Sequence, residues 1–140
     1  MLGKPLCALF LAAALAGLWG CGFQKDASAA GVAVTQFHSE LNKQDYTAIY
    51  AQADQRFRKA STPDDFEALM IAIHNKLGAV VDAKQQGFFV NYNTSGTQIR
   101  LTYQTKFTAG DAQEEFVWSK TGSSYQLLGY HINSNALITK

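Results

Sequence analysis

The side chains in this 140-residue chain that could move protons or hold a metal are three histidines, six tyrosines and a few adjacent carboxylates. His38 and His74 each lie beside an apolar stripe of helical spacing, and His131 falls in a strand-like segment. No two histidines stand at i, i+4 and there is no H-E-x-x-H, so neither a metal site nor a cofactor is expected. General acid–base catalysis needs an ionisable group within hydrogen-bond reach of the substrate. His131 alternates with Tyr125 and Leu127 and is expected to face inward; with Tyr103 it forms the candidate catalytic pair. Glu114 and Glu115 are adjacent, and adjacent residues of a strand point to opposite faces. They read as cross-strand partners of Lys106. Asp64-Asp65 reads as helix-dipole chemistry, Arg56-Arg58-Lys59 as a solvated helix end, and Asn93-Thr94-Ser95 as a turn.

A different chemistry is written near the N-terminus. Lys4 precedes an uncharged run from Leu6 to Trp19, rich in Leu and Ala, and Gly20 and Cys21 follow. The run is about 14 residues, short of the roughly 20 that span a hydrocarbon core. It therefore reads as a secretory signal. Leu18-Trp19-Gly20-Cys21 resembles a bacterial lipobox, with Leu18 at −3, Gly20 at −1 and Cys21 at +1; Trp19 departs from the usual small or aliphatic residue. The expectation is cleavage between Gly20 and Cys21, lipid on Cys21, and a membrane bound through that lipid. More than one acyl chain makes such anchoring stable. Gly22 at +2 resembles the pattern exported to the outer membrane, facing the periplasm. Ala27-Ser28-Ala29 is a rival cut for the ordinary signal peptidase.

Removing residues 1–20 leaves 120 residues, enough for one domain with its own core. Cys7 leaves with the signal, so Cys21 has no disulfide partner in its own domain, and Cys-type zinc sites and thiol catalysis in the fold are excluded. Loss of Lys4 leaves eleven basic against eleven acidic residues, with no electrostatic footprint for nucleic acid.

Residues 22–31 are small and polar and read as a tether, giving a signal at 1–20, a lipidated Cys and tether at 21–31 and one domain at 32–140. Val34, Phe37 and Leu41 mark one helix. Asp45 caps a second with Tyr46, Ile49, Tyr50, Ala53 and Phe57 on one stripe. The third has Thr62 as N-cap, Pro63 in its first turn, Phe66, Met70, Ile73 and Leu77 on its face and Gly78 as its stop. The period then changes to 2. About four strands follow, with turns at 93–96, 109–111 and 121–124, as antiparallel neighbours. Helices then strands predict an α+β domain, two or three helices packed on a curved antiparallel sheet. The inward strand face is expected to hold Ile99, Leu101, Tyr103, Phe107, Phe116 and Trp118, with no acid and no histidine.

The succession Asp45-Tyr46, Phe57-Arg58, Ser61, Leu77-Gly78, Tyr103-x-x-x-Phe107, Gly110, Glu115 and Gly129-Tyr130-x-Ile132-x-Ser134 resembles small exported bacterial proteins of domain-of-unknown-function family 4019 over residues 33–137. The resemblance implies a cystatin-like or nuclear-transport-factor-2-like fold, a curved sheet around a helix, and brings no catalytic residues. Three functions fit. The first is a non-enzymatic envelope module binding a protein partner or an apolar small ligand. The second is a cone-pocket isomerase or hydratase using Tyr103 and His131. The third is an accessory structural role. An open pocket on which those two residues converge would favour the enzyme.

Overall fold

A computed structural model describes residues 21–139. Residues 1–20, expected to be a signal segment with Leu18 and Gly20 at its cleavage motif, lie outside the described residues. Four helices precede the sheet: α1 (Cys21–Asn42), α2 (Tyr46–Ala51), α3 (Gln55–Ala60) and α4 (Pro63–Leu77). Strands β1 (Val80–Asn93), β2 (Gly96–Phe107), β3 (Gly110–Thr121) and β4 (Ser124–Asn133) follow, and a short α5 (Asn135–Thr139) closes the described chain. The sheet order is β1-β2-β3-β4, antiparallel throughout. This is the α+β arrangement expected from the sequence. Register shifts leave Val81 and Gln86 of β1 and Leu128 of β4 outside the paired register and bend those strands. Gly87 registers with Thr102, so the strand continues through the irregularity at Gln86.

The alternation in β2 buries Ile99, Leu101, Tyr103, Thr105 and Phe107 on one face. Against that face lie Val34, Phe37 and Leu41 of α1 and Phe66, Met70, Ile73 and Leu77 of α4. Phe116 is the hub: its ring meets those of Phe37, His38, Tyr103, Trp118 and Tyr130 at centroid distances of 5.1–6.1 Å. Offset and edge-on pairs of this kind add to the burial of apolar area.

Two expectations need correction. Residues 22–31 are not a tether: α1 runs unbroken from Cys21, and Asp26, Ala27 and Ala30 are buried. The domain therefore begins about one helical face earlier than residue 32. The apolar signal was weak because that face is built of alanines and a carboxylate. The expected second helix is two. Asp54 leaves helical geometry (φ −58°, ψ 145°), donates its N–H to Leu127 O of β4 at 2.8 Å and caps α3 with its side chain. A sheet contact thus overrides a continuous stripe.

α4 follows its sequence signals. Thr62 Oγ1 accepts from Asp65 N–H at 3.2 Å and donates to Asp65 Oδ2 at 2.7 Å. Gly78 ends the helix at φ 78°, ψ −152°, a backbone state open essentially to glycine. A Cβ there would run into Thr108 Oγ1. Gly78→Ala is expected to destabilise the domain by about 2 kcal/mol or more, read as a lower urea midpoint with an unchanged slope.

Candidate functional site

Helix α1 is fastened to the sheet at three places, and the middle one is a buried polar cluster. Glu114 sits on β3 between Ala112 and Phe116, and the period of 2 turns it inward, where its side chain has no exposed surface. Thr105 Oγ1 donates to Glu114 Oε2 at 2.5 Å and Tyr130 Oη donates to Oε1 at 2.6 Å. His38 Nε2 of α1 lies 2.7 Å from Oε2. The carboxyl group is thereby met from a helix and two strands. Burial pushes the Tyr130 phenol well above its ordinary range, and Glu114 beside it adds to the shift. Burial, with Glu114 second, also raises Tyr103. Both phenols stay protonated at neutral pH and serve as donors, not as bases.

The expectation of an inward face without acid or histidine is therefore wrong. The same parity that puts Phe116 and Trp118 inside puts Glu114 there, and His38 reaches it from the helix. Glu115 points outward and pairs with Arg100 at 3.6 Å, while Lys106 registers with Asp111, so the proposed Lys106 ion pair does not form. His131 is exposed and registers with Glu115 on the outer face. Tyr103 is buried on the inner face, its hydroxyl 3.2 Å from Gln85 Oε1. The two candidates lie on opposite faces of the sheet and share no pocket. His74 is half-buried on α4, and its Nδ1 has no partner among the described residues. Among the described residues no group of three His, Cys, Asp or Glu side chains could hold a metal.

The other two fastenings are at the ends of α1. Near its start, buried Asp26 accepts from Lys120 Nζ at 2.7 Å, Tyr125 Oη at 2.8 Å and Tyr92 Oη at 3.1 Å. At its last residue, Asn42 Nδ2 donates to Val80 O at 3.1 Å and Asn42 Oδ1 accepts from Val80 N–H at 2.8 Å. Asp54 forms a comparable knot at the start of α3. Its carboxylate accepts from Arg56 Nε and Nη2 at 3.0 Å each, from Arg56 N–H at 2.8 Å and from Ser119 Oγ at 2.5 Å. The Arg56 guanidinium holds Asp54 far below the ordinary carboxylate range, against the opposing effect of burial, and Ser119 helps. For Asp26, burial alone would raise the pKa, but Lys120, Tyr125 and Tyr92 together bring it below the ordinary value.

These shifts carry a sign. A carboxylate with a depressed folded pKa contributes stability that is present above its unfolded pKa, near 4, and is lost as pH falls through the folded value. Melting temperature is expected to drop below about pH 4. The drop should be shallower in Asp54→Asn, as measured by circular dichroism across a pH series.

A cleft opens between α1, the end of α2 and the β3–β4 hairpin. Its inner part, about 50 Å³, is lined by Phe37, Ile49, Trp118 and Leu127 with Glu40 and Gln52. It continues into an outer chamber of about 400 Å³ bordered by Val32, Ala33, Gln36, Ser124, Tyr125 and Gln126. Gln36 Nε2 donates to Glu40 Oε1 at 3.0 Å and to Gln52 Oε1 at 3.1 Å, and Gln52 Nε2 donates to Glu40 Oε1 at 3.1 Å. Trp118 Nε1 is buried and has no acceptor among the described residues. Sequence reasoning missed this cleft. Its polar members are single glutamines and a glutamate on helix surfaces, and the i, i+4 spacing of Gln36 and Glu40 is the only local signal.

The fold and its sites define a class: a helix-on-meander α+β domain with a sealed polar cluster inside and an amphipathic cleft at one end. The chain belongs to the family described as "Protein of unknown function (DUF4019)", whose model matches residues 33–130. A comparison with curated proteins finds no match. Among the described residues no helix is long and apolar enough to cross a membrane.

Proposed function

We propose that this is a lipid-anchored bacterial cell-envelope protein, tied to the outer membrane through Cys21 and facing the periplasm. Its domain acts as a non-enzymatic binding module for an apolar small ligand. The observation that carries the binding reading is the cleft between α1, α2 and the β3–β4 hairpin, where the apolar side chains of Phe37, Ile49, Trp118 and Leu127 meet beside Gln36, Glu40 and Gln52. The acid–base groups of the interior are engaged with one another and sealed from the cleft.

The anchor reading is supported by the start of α1. A cut after Ala29 would remove Asp26 and Ala27, both buried against the sheet, whereas a cut before Cys21 keeps them. Native mass spectrometry of protein extracted from membranes tests both halves. The expected result is acyl mass on Cys21 and a small-molecule adduct that is lost in Ala33→Phe, a substitution that narrows the cleft. An unmodified N-terminus at Ala30 overturns the anchor. A cleft that stays empty in native extracts and in a screen of apolar probes overturns the binding module.

A further inference from the structure

We infer that the domain is seated directly in the headgroup layer of the membrane by Phe23, Tyr92 and the two hairpin turns beside them, with no free segment between anchor and domain. This rests on the lipid anchor at Cys21 proposed above. The first observation is continuity. Cys21 is the first residue of α1, so Phe23 follows within about 3 Å of helix rise. The headgroup layer is about 5–7 Å thick on each side of the hydrocarbon core. Phe23 therefore cannot stand clear of it when Cys21 is acylated.

The second observation is what surrounds Phe23. Its ring meets Tyr92 edge-on at 5.4 Å, and the two residues are 47% and 50% exposed. Asp26 ties this end of α1 to Tyr92, next to the β1–β2 turn, and to Lys120 and Tyr125, which flank the β3–β4 turn. Both turns thus share the end where Cys21 stands. Residues 93–96 are Asn-Thr-Ser-Gly and 121–124 are Thr-Gly-Ser-Ser, polar and without formal charge. The acid nearest the anchor, Asp26, is buried and paired with Lys120, while Lys25 is exposed. Exposed aromatic rings, uncharged polar turns and a free-facing cation suit an anionic interface. The opposite end, near Lys43, Asp45, Lys106 and Asp111, carries the charges of a solvated surface. The occupant assigned to this patch is the lipid surface.

The test uses full-length protein, processed in cells, purified from membranes and reconstituted into phosphatidylethanolamine–phosphatidylglycerol vesicles. Phe23→Trp places an indole at the contact, and Trp118 of the parent serves as the buried control. With brominated acyl chains, emission from the new indole is expected to fall at least about two-fold more than that of Trp118. Inserting about ten Gly/Ser residues between Cys21 and Gly22 gives a reach near 18 Å and is expected to abolish the difference while vesicle binding persists. If Cys21 carries acyl chains and the protein sediments with vesicles, but the indole is quenched no more than Trp118, this seating is wrong and the anchor stands. If Cys21 carries no lipid, both the anchor and the seating fall.

Discussion

Glu114→Ala is expected to lower the stability of the domain by about 3–5 kcal/mol, because one truncation strands buried Thr105 and His38 and partly buried Tyr130. Thr105, Tyr130 and His38 all converge on this carboxyl group, and among the described residues none of these side chains bonds to another acceptor. The residue has no exposed surface, so water cannot take its place without opening the core. For a domain of this size the loss corresponds to a fall in melting temperature on the order of 10–20 °C. Glu114→Gln keeps the shape and one acceptor oxygen, which serves one of the two hydroxyls that now donate to separate carboxyl oxygens, and should lose roughly half as much. The pair separates a polar cluster that fixes the register of α1 from one that merely fills space. If Glu114→Ala melted with the parent in a thermal scan, the cluster would have no role in holding the helix.

The second large effect concerns the first two turns of α1. A chain beginning at Ala30 is expected to be less stable than one beginning at Gly22 by about 2–4 kcal/mol, from lost charge-assisted hydrogen bonds and the lost packing of Ala27. The melting temperature should fall by about 10 °C. Asp26→Ala alone should reproduce most of the loss, since Lys120, Tyr92 and Tyr125 all meet on that carboxylate. Lys120→Met should give a smaller loss, because two phenols still donate. Equal melting curves for the two chain lengths would return residues 22–29 to the status of a tether.

The comparison of sequence with structure turns on which signals are local. The capping of α4 by Thr62, its stop at Gly78 and the alternation of β2 depend on neighbours in the chain, and each was legible. The division between α2 and α3 was not, because Asp54 is pulled out of the helix by Leu127 of β4, far along the chain. The alanine face of α1 was hidden for another reason. Ala27 and Ala30 bury little apolar area, so a hydrophobic period fails to register where a helix lies close against its sheet. Glu114 was legible and overlooked: the alternation of Ala112, Phe116 and Trp118 fixes its face, and only its charge argued against burial. Its partner His38 could not be paired with it from sequence, since they stand 76 positions apart. The cleft depends on how α1, α2 and β4 are set against one another, which no local pattern encodes.

The fastening of Asp26 also sets the order in which the molecule can be completed. Its partners Lys120 and Tyr125 stand 94 and 99 positions away, whereas the strands are joined by short turns to their neighbours. Closing a longer loop costs more chain entropy, so neighbouring hairpins gain their contacts first and the N-terminal turns are seated last. Pulse-labelling hydrogen exchange during refolding should protect amides of residues 96–133 before those of 22–31. Until the final hairpin is in place, Asp26 lacks Lys120 and Tyr125, two of the three partners that hold the start of α1 to the sheet. Completion of that hairpin supplies both at once, so the start of the domain is locked by its last two strands.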